Sequence, residues 1–328
     1  MQDIQTATDE KIATAENKPN VSFPRDSQAT LGMTESEKTA IEQTATDEQN
    51  AIERNKNEQT EINAELTVES GVEPLKFEYQ AVYRAGEEKP KAFISRVTIS
   101  GLPYGSFLPE SYEQKIENIS LGAHLTARLI KRAAKKIDLL LQNNPQAELD
   151  FIALPAYNAF LLLPDLYGEL QNLLKDYPRE VYSKICLIIN ENAFKPLQNQ
   201  TNINVNEKIT DIKAFGLKTM ISGFGKSDFP VTSLIGVEAD YVGVSEETAA
   251  LLNDRNAKES AMALMRFAAT TGAAVVVNGI ETDEQIRSLF FGDCYGYTAK
   301  AGFVGMDGEK GGYLGEDEAF GLIGGGEQ

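Results

Sequence analysis

From Leu75 onward, apolar and polar positions follow regular periods; before it they do not. Phe77-Glu78-Tyr79-Gln80-Ala81-Val82-Tyr83 has an apolar residue at every second position, as a strand with one buried face requires. A second strand is predicted over 91–100, joined to the first by Ala85-Gly86-Glu87-Glu88. Over 118–143, Leu121, Leu125, Leu129, Ala133, Ile137 and Leu140 fall at helical spacing and predict a long amphipathic helix. Short apolar runs follow at 149–154, 185–189, 217–221, 241–244 and 274–277, each long enough for a buried strand. Helical patterns near 164–176, 206–215, 247–270 and 282–290 alternate with them. That rhythm predicts an α/β fold, a parallel sheet wrapped by helices and closed as a (β/α) barrel.

Residues 1–70 read differently. They are rich in Glu, Gln, Asn, Thr and Ala, hold one aromatic residue (Phe23), and repeat Gln-Thr-Ala-Thr-Asp-Glu at 5–10 and 43–48. Such a segment buries too little apolar area to offset the entropy of ordering it. Thr34 and Glu37 have capping-box spacing, and a half-apolar seam runs from Ile41 through Ile52 and Ile62 to Leu66. Both a solvated helix and a weak coiled coil that would pair subunits into a homodimer fit this seam. The chain thus divides into an acidic, low-complexity segment (1–70), a barrel domain (71–315) and a Gly-rich tail (316–328) expected to be flexible.

Charge narrows the choice of partners. The formal net charge is −18, which disfavours nucleic acid and anionic membranes. The first 70 residues carry 15 acidic and 6 basic side chains. No apolar run is long enough to span a bilayer, and Met1-Gln2-Asp3-Ile4-Gln5 lacks the features of a signal peptide. Cys186 and Cys294 are too few for a disulfide framework, so a cytoplasmic setting is expected. With one histidine (His124) and two distant cysteines, zinc and Cys/His or Ser/His/Asp catalysis have no support. Ser222-Gly223-Phe224-Gly225-Lys226-Ser227 looks like the end of a phosphate-binding loop, but Met220 stands where that motif needs its first Gly.

Several short motifs recur in one order. Tyr79-Gln80-Ala81-Val82 opens the series, Phe107 to Tyr112 follows, and Phe224-Gly225 precede Asp240-Tyr241. Val276-Val277-Asn278-Gly279-Ile280-Glu281-Thr282 then leads to Gln285 and Gly296-Tyr297. Together they resemble the EAL family, phosphodiesterases that hydrolyse cyclic di-GMP, over Phe77 to Phe303. The resemblance implies a TIM-like barrel. In active members it also implies two divalent metals held by carboxylates at the C-terminal ends of the strands.

At the positions that the resemblance assigns to that chemistry, this chain has other residues. The signature Glu falls at Ala92, the strand Asn at Leu154, and the next metal-binding Glu at Ile188. The paired Asp residues become Ser222 and Gly223, the Lys becomes Gly243, the late Glu becomes Asn278, and a Gln becomes Tyr295. Glu191 and Glu281 remain of the family's carboxylates, and Ser245 stands where it has an Asp. Neither a metal nor a cofactor is therefore expected. Gln80, Arg96, Leu108 and Pro109 match positions near the dinucleotide. The resemblance implies a degenerate, non-catalytic EAL-like regulator or scaffold with a protein partner, in bacterial signalling of the motility, pilus or biofilm type. The alternative is a metal-independent cyclic di-GMP receptor. A third reading, an active phosphodiesterase, finds no residues to carry it.

Overall fold

A computed structural model describes residues 75–324 except 102–104, 118, 195–203, 228, 230, 290–293 and 306–307. All described residues belong to one unit, which begins at Asn63. The expected N-terminal helix or coiled coil, and Asp228, lie outside the described residues.

Strands β1 (Leu75–Tyr83) and β2 (Ala92–Gly101) form an antiparallel hairpin, and β3 (Gly105–Phe107) folds back on β2. Two helices follow, α1 (Pro109–Ile116) and α2 (Ser120–Asn143). Five strands then run parallel to β2: β4 (Phe151–Pro155), β5 (Ile185–Ile189), β6 (Lys218–Phe224), β7 (Tyr241–Val244) and β8 (Ala274–Ile280). Between β4 and β5 lie α3 (Asn158–Leu161), α4 (Leu166–Leu174) and α5 (Arg179–Tyr182). Helices α6 (Val205–Phe215), α7 (Glu246–Ala250), α8 (Lys258–Thr270) and α9 (Asp283–Leu289) complete the outer layer of the barrel. Strand β9 (Cys294–Ala299) pairs parallel to β8 and antiparallel to β1, which closes a ring of eight strands. Beyond it, β10 (Val304–Gly305) pairs with β11 (Gly308–Glu309), and β12 (Leu314–Gly315) adds to β1. The described chain ends in α10 (Glu316–Gly324).

Alternation in the strands builds two cores. Val82, Ala92, Phe151, Ala153, Cys186, Met220, Tyr241 and Val276 point into the barrel and touch one another. The intervening residues, such as Ile152, Leu154 and Leu187, are equally buried. They face the helices, where α2 supplies Leu125, Leu129, Ile130 and Ile137.

The structure departs from the sequence pattern at three places. The single helix expected near 247–270 is broken. Asp254 is extended, its side chain accepts from the Asn256 N–H at 2.8 Å, and α8 restarts after it. The tail expected to be flexible is helical over 316–324, with Glu316, Asp317 and Glu318 in the first turn, where the helix dipole favours anions. Strand β9 carries Gly296 and Thr298 within six residues, and no apolar run announces it.

Candidate functional site

The parallel strands end at a common mouth. There Gln80 from β1, Ile94 from β2, Ile188 from β5, Ser222 and Gly223 from β6, and Asn278 from β8 surround a cavity of about 420 Å³. Met220 lines it too, and Lys226, Ser245 and the α7 residues Glu246 and Glu247 complete its walls. Except for Gly223, the strand residues follow from period-two alternation: Ile94 comes two after Ala92, Ile188 two after Cys186, Ser222 two after Met220, and Asn278 two after Val276.

Hydrogen bonds within the mouth hold most of its polar groups. Gln80 Nε2 donates to the Ala299 carbonyl at 3.1 Å, and Asn278 Nδ2 donates to the Val244 carbonyl at 3.0 Å. The Thr298 hydroxyl reaches Asn278 Oδ1 at 3.4 Å. Lys226 Nζ donates to Glu191 Oε1 at 2.6 Å, so the cavity's one lysine is already paired. Ser245 caps α7, accepting from the Thr248 N–H at 3.3 Å, and this sets Glu246 and Glu247 in the first helical turn.

Glycine makes two of the close approaches possible. Gly223 has φ +80°, and a Cβ there would lie 2.5 Å from Glu191 Oε2. Gly279 has φ +78°, and its Cβ would meet Glu246 Cγ at 2.5 Å. Gly243 is different. Its Cβ would sit 3.4 Å from Asn278 Nδ2 and 3.6 Å from Ser222 Cα, which is ordinary contact.

Beside the mouth, Glu117 is buried. It accepts from the Asn158 N–H at 3.1 Å and from Asn190 Nδ2 at 3.2 and 3.1 Å. This carboxylate ties the end of α1 to the loops after β4 and β5. Burial pushes its pKa up; the donors at Asn158 and Asn190 pull it down without cancelling that, and Glu191 adds to the rise.

A model of the EAL domain family matches residues 65–295. The chain belongs to the EAL domain family. Solved structures agree on the fold. The EAL enzyme Bd1971 in its cAMP-bound form is similar with a TM-score of 0.69 at 13% identity, covering 89% of this chain and 76% of that one. The PaMucR phosphodiesterase in complex with c-di-GMP gives 0.57 at 16% identity, covering 69% and 89%. An EAL domain protein from Listeria monocytogenes EGD-e gives 0.56 at 18% identity, covering 69% and 86%. No curated protein matches the sequence.

Within this EAL domain, the positions singled out in the sequence fall into two groups. Gln80, Ile188, Ser222, Gly223 and Asn278 line one cavity, and Gly243 stands beside two of them. The others lie elsewhere. Ala92 is fully buried in the barrel core, two residues below Ile94. Leu154 falls between Ala153 and Pro155, so alternation turns it outward to the helices.

Tyr295 sits toward the other end of the barrel, packed on Phe151 and Tyr241 with its hydroxyl on Asp150. It is the second residue of β9, beside a register shift between β8 and β9. Arg96 donates from Nε to Glu78 at 2.8 Å, and its guanidinium lies 3.4 Å from the Tyr313 ring centre. It pairs with a rim carboxylate and does not line the cavity. Leu108 is 46% exposed at the start of α1, Pro109 is buried behind it, and neither reaches the cavity.

The sequence pattern had not marked Lys226, Glu246 or Glu247 as part of the site. Lys226 had a visible signal, since it follows the Phe-Gly pair directly. No described helix is long and apolar enough to cross a membrane.

Proposed function

We propose that this EAL domain is non-catalytic and serves cytoplasmic bacterial signalling as a regulator or scaffold, through contacts with a protein partner. One observation carries the reading. The inward positions of β2, β5, β6, β7 and β8 at the mouth are Ile94, Ile188, Ser222, Gly243 and Asn278, and none bears a charge. Mg²⁺ or Mn²⁺ needs several anionic oxygens around it. The carboxylates nearest are Glu191, taken by Lys226, and Glu246 and Glu247 on one helical turn. Among the described residues, no three of His, Cys, Asp and Glu are grouped as a metal would require. These donors do not fit the pair of dications that phosphodiester hydrolysis in the family calls for.

The test is direct. The purified chain is incubated with cyclic di-GMP and Mg²⁺ or Mn²⁺, and the products are separated by chromatography. The expected result is no linear dinucleotide above a buffer control. Linear product well above that control overturns the proposal.

A second reading, a metal-independent receptor for cyclic di-GMP, has Gln80 and Lys226 in its favour, because an amide and an ammonium face the same cavity. Under it, calorimetric titration gives binding that survives EDTA and weakens in Lys226→Ala by about tenfold or more. Arg96→Ala leaves that binding unchanged, because Arg96 does not line the cavity.

A further inference from the structure

Helix α2 carries a second feature, outside the mouth. Arg128, Lys131, Arg132, Lys135 and Lys136 share one side of it, spaced as i, i+3, i+4, i+7 and i+8. They line a cleft of about 520 Å³ whose other walls are Phe77, Tyr177 and Glu316. Five cations thus gather along roughly 12 Å of helix, in a chain whose net charge is −18. Helix stability does not account for them. Like charges four residues apart, as at Arg128 and Arg132 or Lys131 and Lys135, repel each other.

One carboxylate is already seated there. Glu316, at the start of α10, accepts from Arg132 Nε at 2.9 Å and pairs with Lys136 Nζ at 2.6 Å. The Arg132 guanidinium lies 4.0 Å from the Phe77 ring centre, which fixes its plane. The inner cations are therefore satisfied within the domain. The outer Lys131 and Lys135 are exposed and make no ion pair with a described residue.

We propose that this cleft binds an acidic segment of a partner protein, with its carboxylates on Lys131 and Lys135 beside the seated Glu316. The fit of Glu316 demonstrates that the spacing of these cations accepts carboxylates. The aromatic walls give the stem of a glutamate a surface to pack on. A duplex or an anionic bilayer would set a far larger negative field against a chain that is itself strongly negative. The inference deepens the reading of a protein that works through partners, by naming one partner's chemistry. It does not need the mouth to be inactive.

The full chain is titrated at low salt with a labelled oligoglutamate peptide of about six residues, which spans the cleft when extended. An oligoglutamine peptide of the same length is the neutral control. The acidic peptide binds, more weakly as salt rises, and the neutral one does not. Lys131→Glu combined with Lys135→Glu weakens binding by about tenfold or more. Arg255→Glu combined with Arg266→Glu, at exposed sites on other elements, changes it by less than about twofold. Glu316→Gln frees the inner cations and strengthens binding. Equal thermal midpoints for the two double variants exclude unfolding as the cause.

No binding, an unchanged affinity in the cleft variant, or equal weakening in both double variants overturns the inference. So does tighter binding of duplex DNA, phosphatidylserine vesicles or inorganic triphosphate. Hydrolysis of cyclic di-GMP by a chain that binds the peptide overturns the proposed function alone. A chain that is silent in both assays overturns this inference alone.

Discussion

Glu117 meets amide donors where a buried carboxylate usually meets a cation. Its raised pKa has a defined sign in stability. In the window from the unfolded value near 4.5 up to the raised folded value, the folded chain holds the proton more tightly. Stability from this group is therefore present at low pH and lost as pH rises through that window. Glu117→Gln keeps an oxygen for Asn158 and Asn190 and removes the titration. The midpoint of the variant relative to wild type should be higher at pH 7 than at pH 4, by thermal melts at both.

The glycines make a second contrast. Gly243→Ala meets ordinary contacts and should be neutral, or stabilising by about 0.4–1 kcal/mol through the unfolded state. Gly223→Ala forces a side chain at φ +80° against Glu191 and should cost about 1–3 kcal/mol in urea unfolding. At this scale the alternation of inward and outward positions was legible in the sequence. Ser222, Gly223, Gly243 and Asn278 all stand at or beside the mouth. Leu154 and Tyr295 stand elsewhere, Leu154 in the outward phase of a short strand and Tyr295 at the start of β9.

Among the elements, α10 shows what hydropathy cannot. Its Gly-rich composition reads as a loose tail, yet Phe320 packs edge-on against Tyr79 at 5.8 Å and Ala319 is fully buried. Glu316 anchors the helix. Burial would raise its pKa, but hydrogen bonds from Arg132 and Lys136 outweigh that and hold it low. Its stabilisation is present above about 4.5 and is lost as pH falls through the lowered value. A chain ending at Gly315 should lose about 2–4 kcal/mol, measured by denaturant unfolding. Strands β1, β2 and β4 to β8 were legible as alternating or continuous apolar runs, and the short β3 was not. Strand β9 was not, because it lacks an apolar run and one of its two neighbours, β1, lies more than 200 residues away along the chain. The break between α7 and α8 was likewise invisible to periodicity, since Asp254 interrupts the backbone without disturbing the spacing.

The whole molecule is held by a barrel interior that leaves little room. Phe151 is fully buried against Tyr241 at 4.4 Å and Tyr295 at 5.7 Å. Phe151→Ala opens a cavity at that end and should cost about 3–5 kcal/mol in the same unfolding measurement. A mouth whose inward strand positions carry no charge should leave the chain's melting temperature unchanged on addition of Mg²⁺ or EDTA. The ring has one more consequence, and it concerns the order in which the chain is made. The first stave, β1, leaves the ribosome more than 200 residues before β9, its closing neighbour. Until β9 arrives, β8 and one side of β1 are open edges that invite pairing with another copy. Completing synthesis is then what ends the chain's exposure to aggregation, and a ribosome that stalls before Cys294 leaves a half-built cylinder with two adhesive rims.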